Sequence, residues 1–138
     1  VRMGDPECQT ILPKLNTDFG EVILACVNDN LKAIELEWSD EKSLCIVLCS
    51  KGYPEEYQNN LPINNLDKIK LEKNEFIFHA GTVINNESIL SNGGRVLNFV
   101  VKSNEFKVCR EKAIKLIDQI SWNNGFYRKD IGYKVIDE

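Results

Sequence analysis

The spacing of apolar residues predicts helices towards both ends of the chain. Between residues 7 and 34, apolar side chains recur every three or four positions, which is typical of two short helices, the second beginning near Thr17. Asp5 and Pro6 stand where an N-cap aspartate and a first-turn proline belong, so we expect them to start the first helix. A third helix is predicted to end near Ile120.

The middle of the chain has the pattern of β-strands. Residues 44–49 form a continuously apolar run, as in a strand covered on both faces. Residues 76–79 and 96–101 are apolar runs rich in aromatic and β-branched side chains, and residues 88–90 are placed to pair in a hairpin. The predicted order is two helices, an antiparallel meander and one helix, and it indicates an α+β fold.

The turn before the last strand is a candidate binding element. Gly93 and Gly94 give the backbone access to positive φ and to close approach by a ligand. Arg95 follows, and its planar fork of donors suits a phosphate or a carboxylate. By strand alternation, Arg95 shares a face with Leu97 and Phe99. The alternative is an ordinary Gly-Gly hairpin turn with an exposed arginine, and the residues alone leave both interpretations open.

Composition limits the partners and the compartment. The chain has 138 residues and a formal net charge of −4, which argues against nucleic acid or an anionic membrane as the main partner. No apolar run reaches the roughly 18 residues of a membrane span. Five cysteines lack metal-ligand spacing, and His79 is the single histidine, so we expect reduced thiols in a cytoplasmic protein. Because the sequence opens on Val1 rather than methionine, we expect it to be part of a longer polypeptide.

Five motifs together resemble a known enzyme family. In order and spacing they are similar to the C-terminal third of phosphoribosylamine–glycine ligase (glycinamide ribonucleotide synthetase), an ATP-grasp enzyme, over essentially the whole chain. The motifs are Arg2-Met3-Gly4-Asp5-Pro6-Glu7-Cys8-Gln9, Lys51-Gly52-Tyr53-Pro54, His79-Ala80-Gly81-Thr82, Ser91-Asn92-Gly93-Gly94-Arg95-Val96-Leu97 and Phe126-Tyr127-Arg128-Lys129-Asp130-Ile131-Gly132. Each motif alone is weak evidence, whereas five in register identify the family.

The resemblance implies a ligase of de novo purine biosynthesis. The family phosphorylates glycine with ATP, and the amine of 5-phosphoribosylamine then attacks the glycyl phosphate to give glycinamide ribonucleotide, ADP and phosphate. It also implies two domains in this chain. Residues 1–34 would be the end of an ATP-grasp domain, with two helices. Residues 35–138 would be the ligase C-terminal domain, a rudimentary single-hybrid, barrel-sandwich-like sheet with one C-terminal packing helix.

Nucleotide and metal ligands are expected outside this sequence. In the family, a Glu-x-Asn magnesium pair precedes the motif that begins at Arg2, and this chain starts one residue after that asparagine. We therefore expect ATP and Mg²⁺ or Mn²⁺ to be held by the rest of the enzyme, as a longer parent chain or a companion fragment. No cofactor or metal ligand is expected in these residues, and the fragment alone is expected to bind ATP poorly and to be inactive.

The resemblance suggests a role for the amino-terminal motif. Arg2 would help to hold glycine or its acyl phosphate during catalysis, because a carboxylate or phosphate is well matched by a bidentate donor. The backbone around Gly4, Asp5 and Pro6 would contribute to the same substrate site.

The glycine-rich turn is expected to bind the second substrate. By resemblance, Arg95 and the amides of Gly93 and Gly94 would receive the 5′-phosphate of phosphoribosylamine. The role of His79 stays open between a packed, hydrogen-bonded residue and a substrate contact.

Two non-catalytic alternatives remain. A carrier module related to biotinyl or lipoyl domains needs an exposed lysine at a hairpin tip, but the candidate tip at residues 92–94 is followed by Arg95, which cannot be acylated in that way. A non-catalytic interaction domain would instead expose the apolar stripes of the first two helices.

Overall fold

The structure is a computed structural model that describes residues 2–136 as a mixture of short helices and antiparallel strands. The elements are α1 (Glu7–Ile11), α2 (Phe19–Val27), β1 (Lys42–Ser50), β2 (Glu75–His79), β3 (Thr82–Asn85), β4 (Ser88–Ser91), β5 (Arg95–Ser103), α3 (Phe106–Ile117), β6 (Gly125–Phe126) and α4 (Tyr133–Ile136). Three single turns of 3₁₀-helix lie at Leu12–Lys14, Leu31–Ala33 and Leu66–Lys68. The predicted α+β organisation is confirmed.

Strand β5 is the centre of a four-stranded antiparallel sheet with the order β2-β5-β1-β6. Phe99 in the middle of β5 lies opposite Ile46 of β1 and Ile77 of β2, so this strand is paired along both edges. Strands β3 and β4 form a separate two-stranded sheet. The segment between β4 and β5 therefore crosses from one sheet to the other, and the hairpin-turn alternative for residues 91–95 is wrong.

The hydrophobic core lies between one face of the large sheet and α3, which packs across β1 and β5. Alternation along the strands places their larger apolar residues on this face, and each such buried side chain contributes roughly 1.5–3 kcal/mol. The buried members are Leu44, Ile46, Leu48, Ile63, Val96, Leu97, Phe99, Val101, Cys109, Ala113, Leu116, Ile117 and Trp122.

The other face of the sheet is only partly covered. Helix α1 packs against β1 and β5 on this side, and the alternate residues of β1, Cys45, Val47 and Cys49, are half-buried. The run at residues 44–49 was expected to be covered on both faces. That expectation is correct for one face, whereas five-residue α1 is too short to cover the other fully.

Helix α2 starts at Phe19, two residues after the predicted Thr17, and three of its large apolar residues are exposed. The carboxylate of Asp18 accepts a hydrogen bond from the amide of Glu21 at 3.0 Å, which caps the helix. Ile23, Leu24 and Val27 are nevertheless 46%, 62% and 74% exposed. The predicted apolar stripe is therefore largely uncovered within the described part of the chain.

A register shift at the start of β5 changes the direction of Arg95. Leu48 of β1 pairs with Leu97, but the next residue, Cys49, pairs with Arg95, so Val96 is an extra residue on β5. Both Val96 and Leu97 are fully buried in the core. The expectation that Arg95 shares the core-facing side with Leu97 is wrong, because the bulge turns the arginine to the opposite face, towards α1.

The two glycines before this bulge are required by packing. The glycines with positive φ among residues 2–136 are Gly52 and Gly132, so Gly93 and Gly94 do not use the left-handed region. A Cβ on Gly94 would instead overlap the ring of Tyr53. A Cβ on Gly93 would lie 3.1 Å from the Cα of Gly81.

A double-mutant cycle tests this packing. We expect Gly94→Ala to destabilise the 138-residue chain by about 1–3 kcal/mol, because the ring of Tyr53 must move to admit the methyl group. In a Tyr53→Ala background the same substitution should cost much less, because the ring is gone. Both free energies of unfolding can be measured by denaturant titration, and equal costs in the two backgrounds would contradict the explanation.

Candidate functional site

The bulge brings Arg95 into contact with the amino-terminal loop. Its Nε lies 3.2 Å from Oδ2 of Asp5, and its Nη1 donates a 2.7 Å hydrogen bond to the backbone carbonyl of Asp5. The two residues are 90 positions apart in sequence. The side chains are 42% and 31% exposed, so the ion pair lies at the surface with one side open. Residues 4–6 and 93–95, each expected at a substrate site, are thus assembled at one place.

The carboxylate of Asp5 is held from two further directions. Its Oδ1 accepts hydrogen bonds from Gln9 Nε2 at 3.1 Å and from Asn98 Nδ2 at 3.4 Å. The expectation that Asp5 caps the first helix is wrong: α1 begins at Glu7 after Pro6, with no side-chain cap. The carboxylate is used in this tertiary network instead of the helix terminus.

Gln9 and Asn98 were missed as parts of the site, although the sequence contains a signal for each. Gln9 is four residues after Asp5, a spacing that brings side chains together on a helix. Asn98 is the single polar residue in the apolar run at residues 96–101. A buried amide in an apolar strand needs a polar partner, and that requirement points to a network.

The glycine segment is fixed through its carbonyl groups. Ser50 donates from its hydroxyl to the carbonyl of Gly93 at 2.7 Å and from its amide to the carbonyl of Gly94 at 2.8 Å. Among residues 2–136, no acceptor is bonded to the amide of either glycine. Gly81 packs alongside and donates its amide to the carbonyl of Arg95 at 2.9 Å. Gly93 is half-buried and Gly94 is buried against the ring of Tyr53, so access of an anion to these amides is limited.

His79 lies at the end of β2, near the same loop. It is exposed, and its Nδ1 is 2.8 Å from Oγ1 of Thr82. With Gly4 and Gln9 it lines a groove of about 560 Å³ between α1 and β2 whose floor includes the stacked rings of Phe76 and Phe78. The histidine is therefore not a packed core residue, and its place in the groove keeps the substrate interpretation open.

Arg2 takes no part in the hydrogen bonds around Asp5 within residues 2–136. It is exposed, and within residues 2–136 its guanidinium forms no ion pair or hydrogen bond. The described residues contain no cluster of three or more His, Cys, Asp or Glu side chains that could hold a metal ion. No helix in that part of the chain is both long and apolar enough to cross a membrane.

Two thiols lie on the face of the sheet that carries this site. Burial raises the pKa of Cys45 to about 12. Burial also raises the pKa of Cys49, although the positive charge of Arg95 opposes the shift. Cys26, by contrast, is exposed on α2.

Comparison with known proteins gives a consistent family. The family model described as "Phosphoribosylglycinamide synthetase, C domain" matches residues 43–134. A phosphoribosylamine–glycine ligase of Caldanaerobacter subterraneus is 44% identical over 131 residues, which are 95% of this chain and 31% of the relative. The chloroplastic enzyme of Arabidopsis thaliana is 36% identical over 138 residues, covering 99% of this chain and 26% of its own length.

A solved structure shares the fold. The crystal structure of phosphoribosylamine–glycine ligase from Thermotoga maritima superimposes with a TM-score of 0.70 and 26% sequence identity, over 96% of this chain and 32% of that one. The chain thus spans about a third or less of the length of these relatives.

Thiol labelling can test the environment next to the site. With a pKa near 12, Cys45 has about one molecule in ten thousand as reactive thiolate at pH 8, so we expect it to label very slowly, and Cys49 to label slowly too. Cys26 should label rapidly because it is exposed. Peptide mapping after a short pulse of maleimide, with Cys26→Ser as control, measures this. Rapid labelling of Cys45 in the folded chain would contradict the burial.

Proposed function

The chain belongs to the phosphoribosylglycinamide synthetase family, as its C domain, and on that premise we propose that it supplies the acceptor-substrate side of an ATP-dependent ligase. The reaction joins glycine to 5-phosphoribosylamine through a glycyl phosphate and yields glycinamide ribonucleotide, ADP and phosphate. The names of the relatives support a ligase, and that of a relative from Dictyostelium discoideum, a bifunctional purine biosynthetic protein, supports purine biosynthesis. The observation that carries the proposal is the assembly of Arg95, the glycine segment and the amino-terminal loop at one open surface.

Arg95 receives the 5′-phosphate of phosphoribosylamine. A guanidinium has five N–H donors. Nη1 donates to the backbone carbonyl of Asp5, and Nε lies 3.2 Å from Oδ2 of the same residue. Among residues 2–136, Nη2 has no acceptor, so the edge of the guanidinium at Nη2 is open to phosphate oxygens. The amides of Gly93 and Gly94, which have no acceptor among residues 2–136, directly precede Arg95 and would add donors for the same anion. Of the two glycines, Gly94 is buried against the ring of Tyr53, so the ring must move for its amide to take part.

The amino-terminal loop serves the glycine side of the reaction. Its carbonyl groups are already used: that of Gly4 accepts from the amide of Cys8 at 3.3 Å, and that of Asp5 accepts from Arg95. The loop is therefore fixed in shape, and Arg2 projects from it with an unpaired guanidinium within the described chain. A free bidentate donor beside a fixed loop suits the carboxylate of glycine or its acyl phosphate.

ATP and Mg²⁺ or Mn²⁺ are bound by the remainder of the enzyme. The described residues do not fit a metal ion, because no three potential ligands among their His, Cys, Asp and Glu side chains come together. No step of the reaction is therefore assigned to a metal held by this chain. Its own residues contribute binding and orientation of the two small substrates, in a cytoplasmic enzyme.

The remainder of the enzyme also covers the exposed helix. Residues 1–34 belong to the end of an ATP-grasp domain, and residues 35–138 form a C-terminal domain of the single-hybrid type. Ile23, Leu24 and Val27 of α2 are then interface residues, which accounts for their exposure in an otherwise well-packed chain. A carrier function is not favoured, since the tip of the β3–β4 hairpin is Asn86 and Glu87 and offers no lysine.

A kinetic experiment tests Arg95. In the full-length ligase that contains this chain, we expect Arg95→Ala to raise the KM for phosphoribosylamine roughly ten- to a hundredfold, the value of a charge-assisted hydrogen bond, and to leave the KM for ATP within about twofold. Lys107→Ala is the control, because it removes a positive charge from an exposed position of α3, on the opposite face of the sheet. An unchanged specificity constant for phosphoribosylamine would refute the assignment.

A binding experiment tests the division of labour. The 138-residue chain should show no heat of binding and no thermal shift with Mg²⁺ and ATP, and no ligase activity, because the nucleotide and metal ligands lie elsewhere in the enzyme. The full-length enzyme, titrated under the same conditions, is the positive control. Stoichiometric binding of ATP to the 138-residue chain would show that the division is wrong.

A further inference from the structure

Asn98 is a polar side chain in the interior of an apolar strand. It is fully buried, and its neighbours across the sheet are Val47 on β1 and Phe78 on β2. An amide in such surroundings is costly unless both of its ends are hydrogen-bonded. Its Nδ2 donates to Oδ1 of Asp5 at 3.4 Å, and its Oδ1 accepts from the thiol of Cys45 at 3.9 Å. Its polar contact towards the surface is therefore with the carboxylate that pairs with Arg95.

Asp5 is held at both oxygens. Oδ1 accepts from Gln9 and from Asn98, whereas Oδ2 faces Nε of Arg95. An ionised carboxylate only accepts hydrogen bonds, so both amides must present their NH₂ groups to it. Gln9 approaches from the helix one turn away and Asn98 from the central strand, and these two directions fix the rotation of the carboxylate. The fixed carboxylate keeps Oδ2 3.2 Å from Nε of Arg95, while Nη1 donates its hydrogen bond to the backbone carbonyl of the same aspartate.

The two donors to Asp5, Gln9 and Asn98, are uncharged amides. A second carboxylate beside Asp5 would repel it and would compete for Arg95, and a lysine or arginine would compete with Arg95 for Asp5. An amide orients Asp5 without adding charge. The Asp5–Arg95 pair then keeps its geometry while the Nη2 edge remains open.

We propose that Asn98 is a positioning residue of the ligase: it orients Asp5, and through Asp5 it presents the open edge of Arg95 to the phosphate of phosphoribosylamine. The role rests on the proposed function, because it matters for the reaction only if Arg95 binds that phosphate. It can be separated from a role in stability, because Oδ1 of Asp5 keeps the hydrogen bond from Gln9 when Asn98 is replaced.

The test is Asn98→Leu in the full-length ligase. We expect the KM for phosphoribosylamine to rise about tenfold, with kcat and the KM for ATP within about twofold, and the melting temperature to fall by only a few degrees, because Gln9 still holds Asp5. The control is Val100→Ala, two residues along the same face of β5 and not bonded to Asp5. It should lower the melting temperature and leave the KM for phosphoribosylamine unchanged.

Two further variants keep the test decisive. If Asn98→Leu does not fold, Gln9→Leu on α1 removes the other donor to Asp5 and should raise the same KM by a few fold. A wild-type KM in the folded Asn98→Leu enzyme, or in Gln9→Leu when it is the variant used, overturns the positioning role. If Arg95→Ala raises the KM while Asn98→Leu does not, the positioning role alone fails. If Arg95→Ala has no effect, the proposed function fails and the positioning role fails with it.

Discussion

The extra residue at the start of β5 determines on which face of the sheet Arg95 lies. Val96 is an extra residue between the pairs Leu48–Leu97 and Cys49–Arg95. Both Val96 and Leu97 therefore point into the core, and Arg95 points to the other face. Without this bulge, strict alternation would direct Arg95 towards the hydrophobic core, where a charge is very costly. The bulge therefore lets a strand that is buried along both edges begin with a charged residue at the surface.

The two faces of the large sheet are covered to different extents, because α3 covers one and the shorter α1 covers the other. The face under α3 is a continuous apolar layer, and its packing accounts for the stability of the chain. The face under α1 carries half-buried thiols, Asn98 and the Asp5–Arg95 pair. Helix α1 has only five residues, and a groove with Phe76 and Phe78 in its lining remains between it and β2. The apolar core and the candidate site thus lie on opposite sides of one sheet.

The sequence predicted the elements well and the tertiary contacts poorly. The strands β1, β2, β4 and β5 and the start of α2 near Thr17 follow from local patterns, which the structure preserves. The face occupied by Arg95 does not follow, because the bulge depends on how β1 and β5 align over a separation of about 50 residues. Asp5 has the local signature of a cap, yet the ion pair with Arg95 competes with the helix end for the same carboxylate. The helical spacing of apolar residues in α2 also does not show whether another element of this chain packs against them.

Asn98 indicates the site, but a prediction based on strand patterns does not reveal this role. One polar residue in a run of apolar ones does not alter a strand prediction, but it carries an energetic requirement that only a specific partner satisfies. Here that partner is Asp5, about 90 residues earlier in the chain. A carboxylate next to the arginine also weakens the attraction of the guanidinium for a phosphate. If Arg95 binds the phosphate of phosphoribosylamine as proposed, this weakening favours product release, because strength gained equally by substrate and product would slow release without accelerating the chemical step.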